Sequence, residues 1–375
     1  MAQRGAVAVL ATLAALAAGF GVGAIWALKG IWPIPQLLHF KLQYITPQNY
    51  LVIEENGRVP AGPSFTNDVV VSRVSNRYRG MYEDLPAQYW PKTDACPEFH
   101  HFLFEEIAAE RSCNRLTYRG QQLTSFSVLL RHSGDVTARR ALLIYNHGHN
   151  GLPIRSETYA RVFLKRMFDA GYDILLVTMP LVGFNEPSEP ARLNSIDGEA
   201  VTGNLPQLGH AVFETLDVGD SSYLRFFIDD AVFFVSVTAE QYERVVYAGH
   251  SGGAWTGVYV CSALRDIIAR CFLSSGVMPL HIRISDGYQS FGDAEQISGR
   301  INTQFPVYDE ISYAAEKADL SLYYNVGDPC CFNGAMPEKF KNETFERNID
   351  VDFVIDRQSV HAYDAAVAFE KLTTR

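Results

Sequence analysis

Basic charge is scarce in this sequence of 375 residues. Lysine and arginine together number 32, against 42 aspartate and glutamate residues, which gives a formal net charge of −10. Proteins that bind nucleic acids gain most of their affinity from clustered Lys and Arg side chains. The composition therefore argues against a nucleic-acid partner.

Cysteine is also scarce, and no CxxC pair occurs among the six cysteines. Without that spacing, a structural zinc site has little support. Cys96 and Cys113 lie in a loop-rich segment and could pair in an oxidising compartment. Cys261 and Cys271 fall in segments that we interpret as a buried helix and a strand, where a free thiol packs as a small apolar side chain.

Cys330 and Cys331 are adjacent in the chain. Cα atoms joined by a trans peptide are about 3.8 Å apart, which is below the usual span of a disulfide. We therefore predict that both pack as thiols, or that one of them pairs elsewhere.

Internal repeats and low-complexity tracts are absent. Apolar residues make up 47% of the chain and charged residues 20%, which is typical of globular proteins and does not favour disorder. The length allows one large domain or two small ones, with a sizeable core.

The first residues contain an uncharged apolar run. The sequence AVAVLATLAALAAGFGVGAIWAL extends from Ala6 to Leu28 behind Arg4, and a bilayer takes about 20 such residues to cross. Because Ala15–Ala17 also suits a signal peptidase, the segment 1–33 is interpreted as either an uncleaved signal-anchor or a cleaved signal peptide. Both interpretations predict a membrane-anchored or exported protein, with its main domain outside the cytoplasm.

Strands and helices alternate from about Leu116 onward. A leading antiparallel hairpin is predicted around Gly120, and six later runs have the composition of buried strands: ALLIYN, YDILLV, RVVYAG, CFLSSG, LSLYYNVG and VDFVI. Helical stretches lie between most of them, which indicates βαβ units. We therefore predict an α/β fold with a mainly parallel central sheet covered by helices on both faces.

The predicted domain organisation follows from the same pattern. Residues 34–115 are rich in Pro, Tyr and Asn and lack a clear period, so we interpret them as an N-terminal extension packed on the core. The α/β domain takes residues 116–375. Two polar insertions, near 181–220 and 277–319, interrupt it and are expected to form a cap.

A serine stands among glycines where a strand gives way to a helix. In RVVYAGHSGGAWTGVYV, the residues Gly249 to Gly253 match the pattern G-x-S-x-G around Ser251. A nucleophile on such a turn adopts strained backbone angles and needs small neighbours. The helix start also directs backbone N–H groups toward developing negative charge. The alternative is a purely structural glycine turn, but the strand–turn–helix position favours a nucleophilic Ser251.

From Leu116 to Arg375 the sequence resembles the α/β-hydrolase fold family. That resemblance implies the chain order Ser, then Asp or Glu after a later strand, then His after the last strand. Here Ser251 is followed by Asp328, beyond LSLYYNVG, and by His361, beyond VDFVI. The family's chemistry would then have His361 take the serine proton, Asp328 orient the imidazole, and Ser251 attack an acyl carbon.

Other residues compete for the acid and base positions. His281 is the one other histidine C-terminal to Ser251, and we interpret it as a surface or cap residue. Asp286, Asp319 and Asp356 are alternatives to Asp328, whose Asp-Pro pair could also serve only as a turn. The position directly after a strand favours Asp328, because such a carboxylate lies at the carboxyl edge of the sheet.

The segment NHGHNG, from Asn146 to Gly151, resembles the family's oxyanion loop. The resemblance assigns the backbone N–H groups of Gly252 and His149 to the oxyanion hole. His147 and His149 also form an H-x-H pair, but no matching third ligand motif follows, so we expect no metal and no cofactor.

The two insertions are expected to form the walls around Ser251. The region from SSGVMPL to GDAEQ is similar to acetyl-xylan-type esterases, and the core order resembles dienelactone hydrolases. The resemblance implies a serine esterase whose substrate is a small-molecule or carbohydrate ester; a lipase, thioesterase or acyltransferase would use the same three residues. The alternative from a different functional class is a membrane-anchored binding protein whose hydrolase site is inactive.

Aromatic residues of the insertions could line the pocket, although core packing is their commoner use: Phe184, Tyr288, Phe291, Phe305, Tyr308 and Tyr313.

Overall fold

A computed structural model describes the chain in several ranges between residues 74 and 374. The predicted segment 1–33 and most of the extension 34–115 lie outside the described residues, so both stay predictions. Within the described ranges, no helix is both long and apolar enough to cross a membrane. The described residues are 74–78, 81–82, 92–94, 107, 109–118, 123–132, 141–149, 158–186, 191–194, 200–203, 210–216, 222–285 and 293–374.

Nine strands form the central sheet in the part of the chain that the structure describes. A separate two-stranded hairpin, β6–β7, belongs to the first insertion. In chain order the strands are β1 (Lys92–Asp94), β2 (Glu110–Tyr118), β3 (Leu123–Arg131), β4 (Ala141–Asn146), β5 (Tyr172–Val177), β6 (Ala191–Asn194), β7 (Ala200–Gly203), β8 (Arg244–His250), β9 (Ile268–Ser274), β10 (Asp319–Asn325) and β11 (Asp352–Asp356).

The sheet is mainly parallel, as predicted. Its spatial order is β1-β2-β3-β5-β4-β8-β9-β10-β11. The strands β1, β2 and β3 pair antiparallel, and β3 joins β5 in the same way. The six strands from β5 to β11 in this order are parallel. The β2–β3 pair confirms the hairpin that the sequence predicted around Gly120.

Helices cover both faces of the sheet. Along β4, Leu142 and Ile144 face one hydrophobic core, and Leu143 and Tyr145 face the other, because side chains alternate along a strand. The helices are α1 (Thr158–Asp169), α2 (Arg225–Thr238), α3 (Gly252–Ala263), α4 (Leu280–Ser285), α5 (Ala294–Ile297), α6 (Gly299–Gln304), α7 (Val307–Ala315), α8 (Met336–Glu346) and α9 (Ala365–Thr373). The first core takes side chains from α2, α3, α7 and α8, and the second takes them from α1 and α9.

Helix α3 lies in the core and begins at the candidate site. Its sequence, GGAWTGVYVCSA, carries no charge, and Gly252 to Ser262 are all buried. A helix that is apolar on every side is expected in the interior of a large domain. The hydroxyl of Tyr247, on β8, donates to the Gly253 carbonyl at 2.7 Å. The first turn of α3 is therefore held firmly against the end of β8.

The two insertions contact each other. The first contains the short 3-10 helices Gly183–Asn185 and His210–Thr215 together with the hairpin β6–β7, and the second contains α4 to α7. They meet where His210 Nδ1 lies 3.2 Å from Glu295 Oε2. Their predicted role as a cap over Ser251 stays a prediction.

Most described aromatic residues of the insertions pack in the cores. Phe184, Phe305 and Tyr313 are only 3%, 2% and 7% exposed, and Tyr308 is half-buried. Tyr288 and Phe291 lie outside the described residues. Core packing thus accounts for the three buried rings that we considered as candidates for the pocket walls.

Two cysteine predictions are wrong. Cys261 and Cys271 form a disulfide rather than free thiols, because β9 runs beside α3 and brings their Cα atoms to 6.7 Å. Cys330 and Cys331 also form a disulfide between adjacent residues, contrary to the prediction of thiols. The proposed pairing of Cys96 with Cys113 involves a residue outside the described ranges and stays a prediction.

Candidate active site

The candidate residues meet at the carboxyl edge of the parallel strands. Strand β4 pairs with β8 so that Asn146 lies opposite Gly249, and β8 pairs with β9 so that His250 lies opposite Ser274. Ser251 directly follows β8. Because parallel strands present their carboxyl ends at one edge, the loops after β4, β8, β10 and β11 surround a single place.

Ser251 occupies a strained turn between β8 and α3. Its φ of 54° and ψ of −126° fall in a region that residues with a side chain rarely adopt. Backbone hydrogen bonds hold the turn: the Ser251 N–H donates to the Ser274 carbonyl at 2.8 Å, and the Ser251 carbonyl accepts from Ala254 at 2.9 Å. This is the sharp strand-to-helix turn that the sequence motif predicts.

Close backbone contacts explain the glycines of the motif. A Cβ atom added at Gly253 would lie 2.1 Å from the Asn146 carbonyl oxygen, and one added at Gly249 would lie 2.3 Å from the Gly253 carbonyl oxygen. These neighbours are backbone atoms and cannot rotate away. Glycine is therefore required at both positions for β4, β8 and α3 to approach each other.

Gly253→Ala is expected to lower the free energy of unfolding by about 3 kcal/mol or more, because the new methyl group overlaps the backbone of β4. Gly334→Ala is the matched control. Gly334 has φ of 61° and nothing within 4 Å of an added Cβ, so its replacement should cost about 1 kcal/mol from backbone strain alone. Urea unfolding of both variants checks this, and equal losses would contradict the packing argument.

Asp328 and His361 form a hydrogen-bonded pair. His361 Nδ1 lies 2.8 Å from Asp328 Oδ2, and the Asp328 side chain is fully buried. The other carboxylate oxygen, Oδ1, accepts from the backbone N–H groups of Cys330 at 2.7 Å and Cys331 at 3.3 Å. These two amides fix the carboxylate so that Oδ2 faces His361.

The alternative acids are not bonded to His361 in the described part of the chain. Asp356 accepts hydrogen bonds from the Arg357 amide, Gln358 and Tyr323 instead. Asp319 bonds Arg270 at 2.9 Å, at the start of β10, which is the far end of that strand. Asp286 lies outside the described residues. The other candidate histidine, His281, pairs with Glu343 at 2.7 Å.

Asn325 holds the loop that carries His361, and the sequence analysis missed it. From the end of β10, its side-chain amide donates to the carbonyls of Val360 at 2.9 Å and Ala362 at 2.7 Å. These are the two residues that flank His361. An asparagine at a strand end is too common in turns to have signalled this role.

The oxyanion-loop residues contact the first turn of α3. A Cβ added at Gly148, whose φ is 85°, would lie 2.7 Å from the Gly252 backbone nitrogen. A Cβ added at Gly252 would lie 2.6 Å from His149 Nδ1. The first N–H groups of a helix have no acceptor within the helix. The structure therefore brings Gly252 and His149 together beside Ser251, and their assignment to an oxyanion hole stays a prediction.

His149 lies in an acidic environment. Its Nδ1 is 3.1 Å from Asp293 Oδ2, and its Nε2 is 3.0 Å from Glu295 Oε1 and 3.2 Å from His210 Nδ1. Burial alone would lower the pKa of His149, but the carboxylates of Asp293 and Glu295 raise it to about 9. Burial would likewise raise the pKa of Glu295, but His149 and His210 hold it below its usual range. The carboxylates of Asp293 and Glu295 thus favour a positive charge at His149.

His250, the residue before Ser251, is kept neutral. Burial, followed by the neighbouring His361 and His147, lowers its pKa well below the ordinary value. Its ring lies 4.6 Å from the His361 ring between centroids and packs edge-on against Tyr159 and Tyr363. Its Nδ1 is 3.2 Å from Ser274 Oγ. His250 therefore forms an apolar wall behind His361.

A buried arginine supports the loop after β9. Arg283 Nε donates to the Met278 carbonyl at 3.0 Å and Nη1 to Gln296 Oε1 at 3.0 Å. Burial lowers its pKa to about 10. In that loop, Gly276 approaches so closely that an added Cβ would lie 1.8 Å from the Ser251 carbonyl oxygen. Arg283 thus helps to hold the backbone that packs against Ser251.

Two groups in the described residues could hold a metal ion. One is Cys330, Cys331 and His361, but its sulfurs are bonded to each other, which removes the thiolates that ligate metals. The other is His149, His210 and Glu295.

Comparison with solved structures identifies the fold. Acetyl Xylan Esterase 1 from Thermoanaerobacterium sp. JW/SL YS485 aligns with a TM-score of 0.52 at 14% identity, over 82% of this chain and 95% of the esterase. The chain has the α/β-hydrolase fold. At this level of identity the likeness concerns the fold alone.

Two other solved structures of α/β-hydrolase proteins align with lower TM-scores. The ferulic-acid complex of Est1E from Butyrivibrio proteoclasticus has a TM-score of 0.45 at 13% identity, over 69% of this chain and 95% of that one. The acylaminoacyl peptidase of Pyrococcus horikoshii has a TM-score of 0.48 at 12% identity, over 75% of this chain and 45% of the peptidase. No protein-family model and no curated protein matches the sequence.

Proposed function

We propose that this protein is a serine hydrolase that cleaves a carboxylic ester through Ser251, His361 and Asp328. One observation carries the proposal: a serine with φ of 54° at a strand-to-helix turn shares a sheet edge with an imidazole–carboxylate pair at 2.8 Å. Strained backbone angles cluster at functional sites, and a base oriented by a third group is the signature of nucleophilic catalysis.

The acylation step follows from these groups. Asp328 accepts the Nδ1 proton of His361, which leaves Nε2 unprotonated and able to take a proton. Ser251 Oγ attacks the acyl carbon while its proton passes to His361 Nε2, and Asp328 stabilises the resulting cation. The tetrahedral intermediate then expels the alcohol, which takes that proton from His361. An acyl group stays bound to Ser251 Oγ.

Deacylation reverses the roles, with water in place of the alcohol. His361 removes a proton from water as it attacks the acyl carbon, then returns it to Ser251 Oγ as the carboxylic acid leaves. In both steps negative charge develops on the acyl oxygen. We assign the backbone N–H groups of Gly252 and His149 to stabilise it, because Gly252 begins α3 directly after Ser251 and His149 lies close to Gly252 from the loop after β4.

Acylated carbohydrate is the substrate class that we propose. The fold likeness to an acetyl xylan esterase supports this choice, as does the resemblance of the sequence around SSGVMPL. A panel of chromogenic esters from acetyl to long acyl chains, with acetylated xylan oligosaccharides, tests it. We expect the highest kcat/KM on acetyl esters. A preference for long acyl chains would indicate a lipase, and the absence of turnover on every ester would favour a binding protein with a dead site.

We propose further that the hydrolase domain lies outside the cytoplasm, membrane-anchored or exported through residues 1–33. Disulfides at Cys261–Cys271 and Cys330–Cys331 support an oxidising compartment. A protease added to intact cells is expected to digest the domain while a cytoplasmic marker survives. Protection of the domain until the cells are permeabilised would contradict this localisation.

A further inference from the structure

Three polar side chains from distant parts of the chain converge beside the candidate active site. His149 comes from the loop after β4, His210 begins a 3-10 helix of the first insertion, and Glu295 lies in α5 of the second. His210 and Glu295 are 5% and 1% exposed. Buried polar groups normally have complete hydrogen bonding, so the hydrogen bonds that this cluster makes, and those that it lacks, indicate what it binds.

We propose that His149, His210 and Glu295 bind a divalent transition-metal ion, with zinc the best match. Two imidazole nitrogens and one carboxylate form a ligand set that zinc accepts, leaving a fourth position for water. The two carboxylates near the site, Glu295 and Asp293, would balance the charge of the ion. The metal would join both insertions to the loop after β4.

The two imidazole nitrogens have the spacing of zinc ligands. His149 Nε2 and His210 Nδ1 are 3.2 Å apart, and zinc bonds of about 2.0 Å at tetrahedral angles place neighbouring ligand atoms about 3.3 Å from each other. Glu295 faces each nitrogen with a different oxygen: Oε1 lies 3.0 Å from His149 Nε2, and Oε2 lies 3.2 Å from His210 Nδ1. One ligand atom from each residue lies within 4.8 Å of the other two, so the carboxylate has to shift to bring one oxygen close to both nitrogens.

One of the two imidazoles has its other nitrogen already held. His210 Nε2 lies 2.8 Å from the Pro180 carbonyl oxygen, which can only accept a hydrogen bond. Metal-binding histidines usually donate from the non-ligating nitrogen to a carbonyl or carboxylate, which fixes the ring and its tautomer. His210 Nδ1 thus faces Glu295. His149 Nδ1 lies 3.1 Å from Asp293 Oδ2 but is outside hydrogen-bonding geometry, so this ring is positioned by the nearby carboxylate without a hydrogen bond to it.

The hydrogen bonds within the cluster leave one carboxylate oxygen unsatisfied. His210 Nδ1 faces Glu295 Oε2 at 3.2 Å. Among the described residues, Glu295 Oε1 is buried and has no hydrogen-bond partner, because His149 Nε2, although 3.0 Å away, is outside hydrogen-bonding geometry. A cation between the two histidines and Glu295 would satisfy this oxygen.

The sequence predicted no metal because no third ligand motif follows the H-x-H pair of His147 and His149. In the structure His147 Nδ1 bonds the Tyr145 hydroxyl at 2.8 Å. The structure assigns His210 and Glu295 as partners of His149 instead. Neither of them has a sequence spacing typical of zinc ligands.

Metal titration of the full-length protein tests the proposal. After dialysis against a chelator, the wild type is expected to bind about one Zn²⁺ per chain, and its unfolding midpoint should rise by several degrees when the ion is restored. Co²⁺ should give the visible absorption of a four-coordinate site with nitrogen and oxygen ligands. A wild type that binds neither ion at micromolar concentration would overturn the proposal and leave a metal-free ion pair.

Matched variants locate the ion. His210→Gln and Glu295→Gln are expected to lose Zn²⁺ binding and the cobalt spectrum. His281→Gln and Glu343→Gln should keep both, because that His–Glu pair, at 2.7 Å, is not part of the candidate metal group. Circular dichroism confirms that each variant is folded, and the wild-type titration is decisive if one is not. Binding that survives both cluster variants would place the ion elsewhere and also overturn the proposal. Since the readout is metal binding, either result leaves the ester-hydrolase proposal to its own test.

Discussion

Ser251→Ala is expected to lower kcat for ester hydrolysis by about a million-fold while leaving the protein folded. The substitution removes the one oxygen that attacks the acyl carbon, and members of a catalytic triad act as a unit. The backbone hydrogen bonds of the turn, from the Ser251 N–H and to its carbonyl, do not involve the side chain. Turnover of a chromogenic acetyl ester, with circular dichroism as a check on folding, measures the effect.

Ser275→Ala is the matched control for this variant. Ser275 follows β9, is 1% exposed and has a similarly strained φ of 49°. Its replacement removes a buried hydroxyl from the same kind of backbone conformation without touching the proposed nucleophile. We expect its turnover to stay close to that of the wild type. Near-wild-type turnover by Ser251→Ala would contradict the nucleophile assignment.

Asp328→Asn is expected to lower kcat by about ten-thousand-fold, as loss of the triad acid does elsewhere. The hydrogen bonds of the Asp328 carboxylate predict the cause of this loss. The amides of Cys330 and Cys331 hold one side-chain oxygen, so the new NH₂ group would have to point at His361 Nδ1. That nitrogen would become an acceptor, the ring proton would move to Nε2, and His361 could no longer take the serine proton.

Asp356→Asn is the control for the acid. It lies at the end of β11, opposite Asn325 in the neighbouring strand β10, but bonds Arg357, Gln358 and Tyr323. We expect its turnover to be within a few-fold of the wild type, since no proposed step uses it. A large loss for Asp356→Asn together with a silent Asp328→Asn would reverse the assignment of the acid.

Local signals explain why the sequence predicted so much of the fold. Most strands of the parallel sheet are short apolar runs that are closely followed by glycine or proline, and helices between them are long enough to recognise. The serine turn carries its own signal, because the close packing of Gly253 on Asn146 excludes any side chain. The order of residues along the chain then led to Asp328 and His361, which the structure brings within 2.8 Å.

No local sequence pattern predicted the contacts between distant segments. His149 and His210 are 61 positions apart, and Glu295 follows His210 by a further 85. The side-chain amide of Asn325 reaches 35 positions to the Val360 carbonyl. The disulfide between Cys261 and Cys271 depends on β9 running beside α3, which is a property of the sheet order. Each of these contacts requires knowledge of which elements become neighbours.

Labelling with a fluorophosphonate, followed by mass spectrometry of the digested protein, tests whether Ser251 is the nucleophile. Such probes react with a serine only when its neighbours make it nucleophilic. We expect one adduct per chain, located on Ser251 in the wild type, retained in Ser275→Ala and absent from Ser251→Ala. No adduct on the folded wild type, or an adduct on another residue, would contradict the claim that Ser251 is the nucleophile of a serine hydrolase.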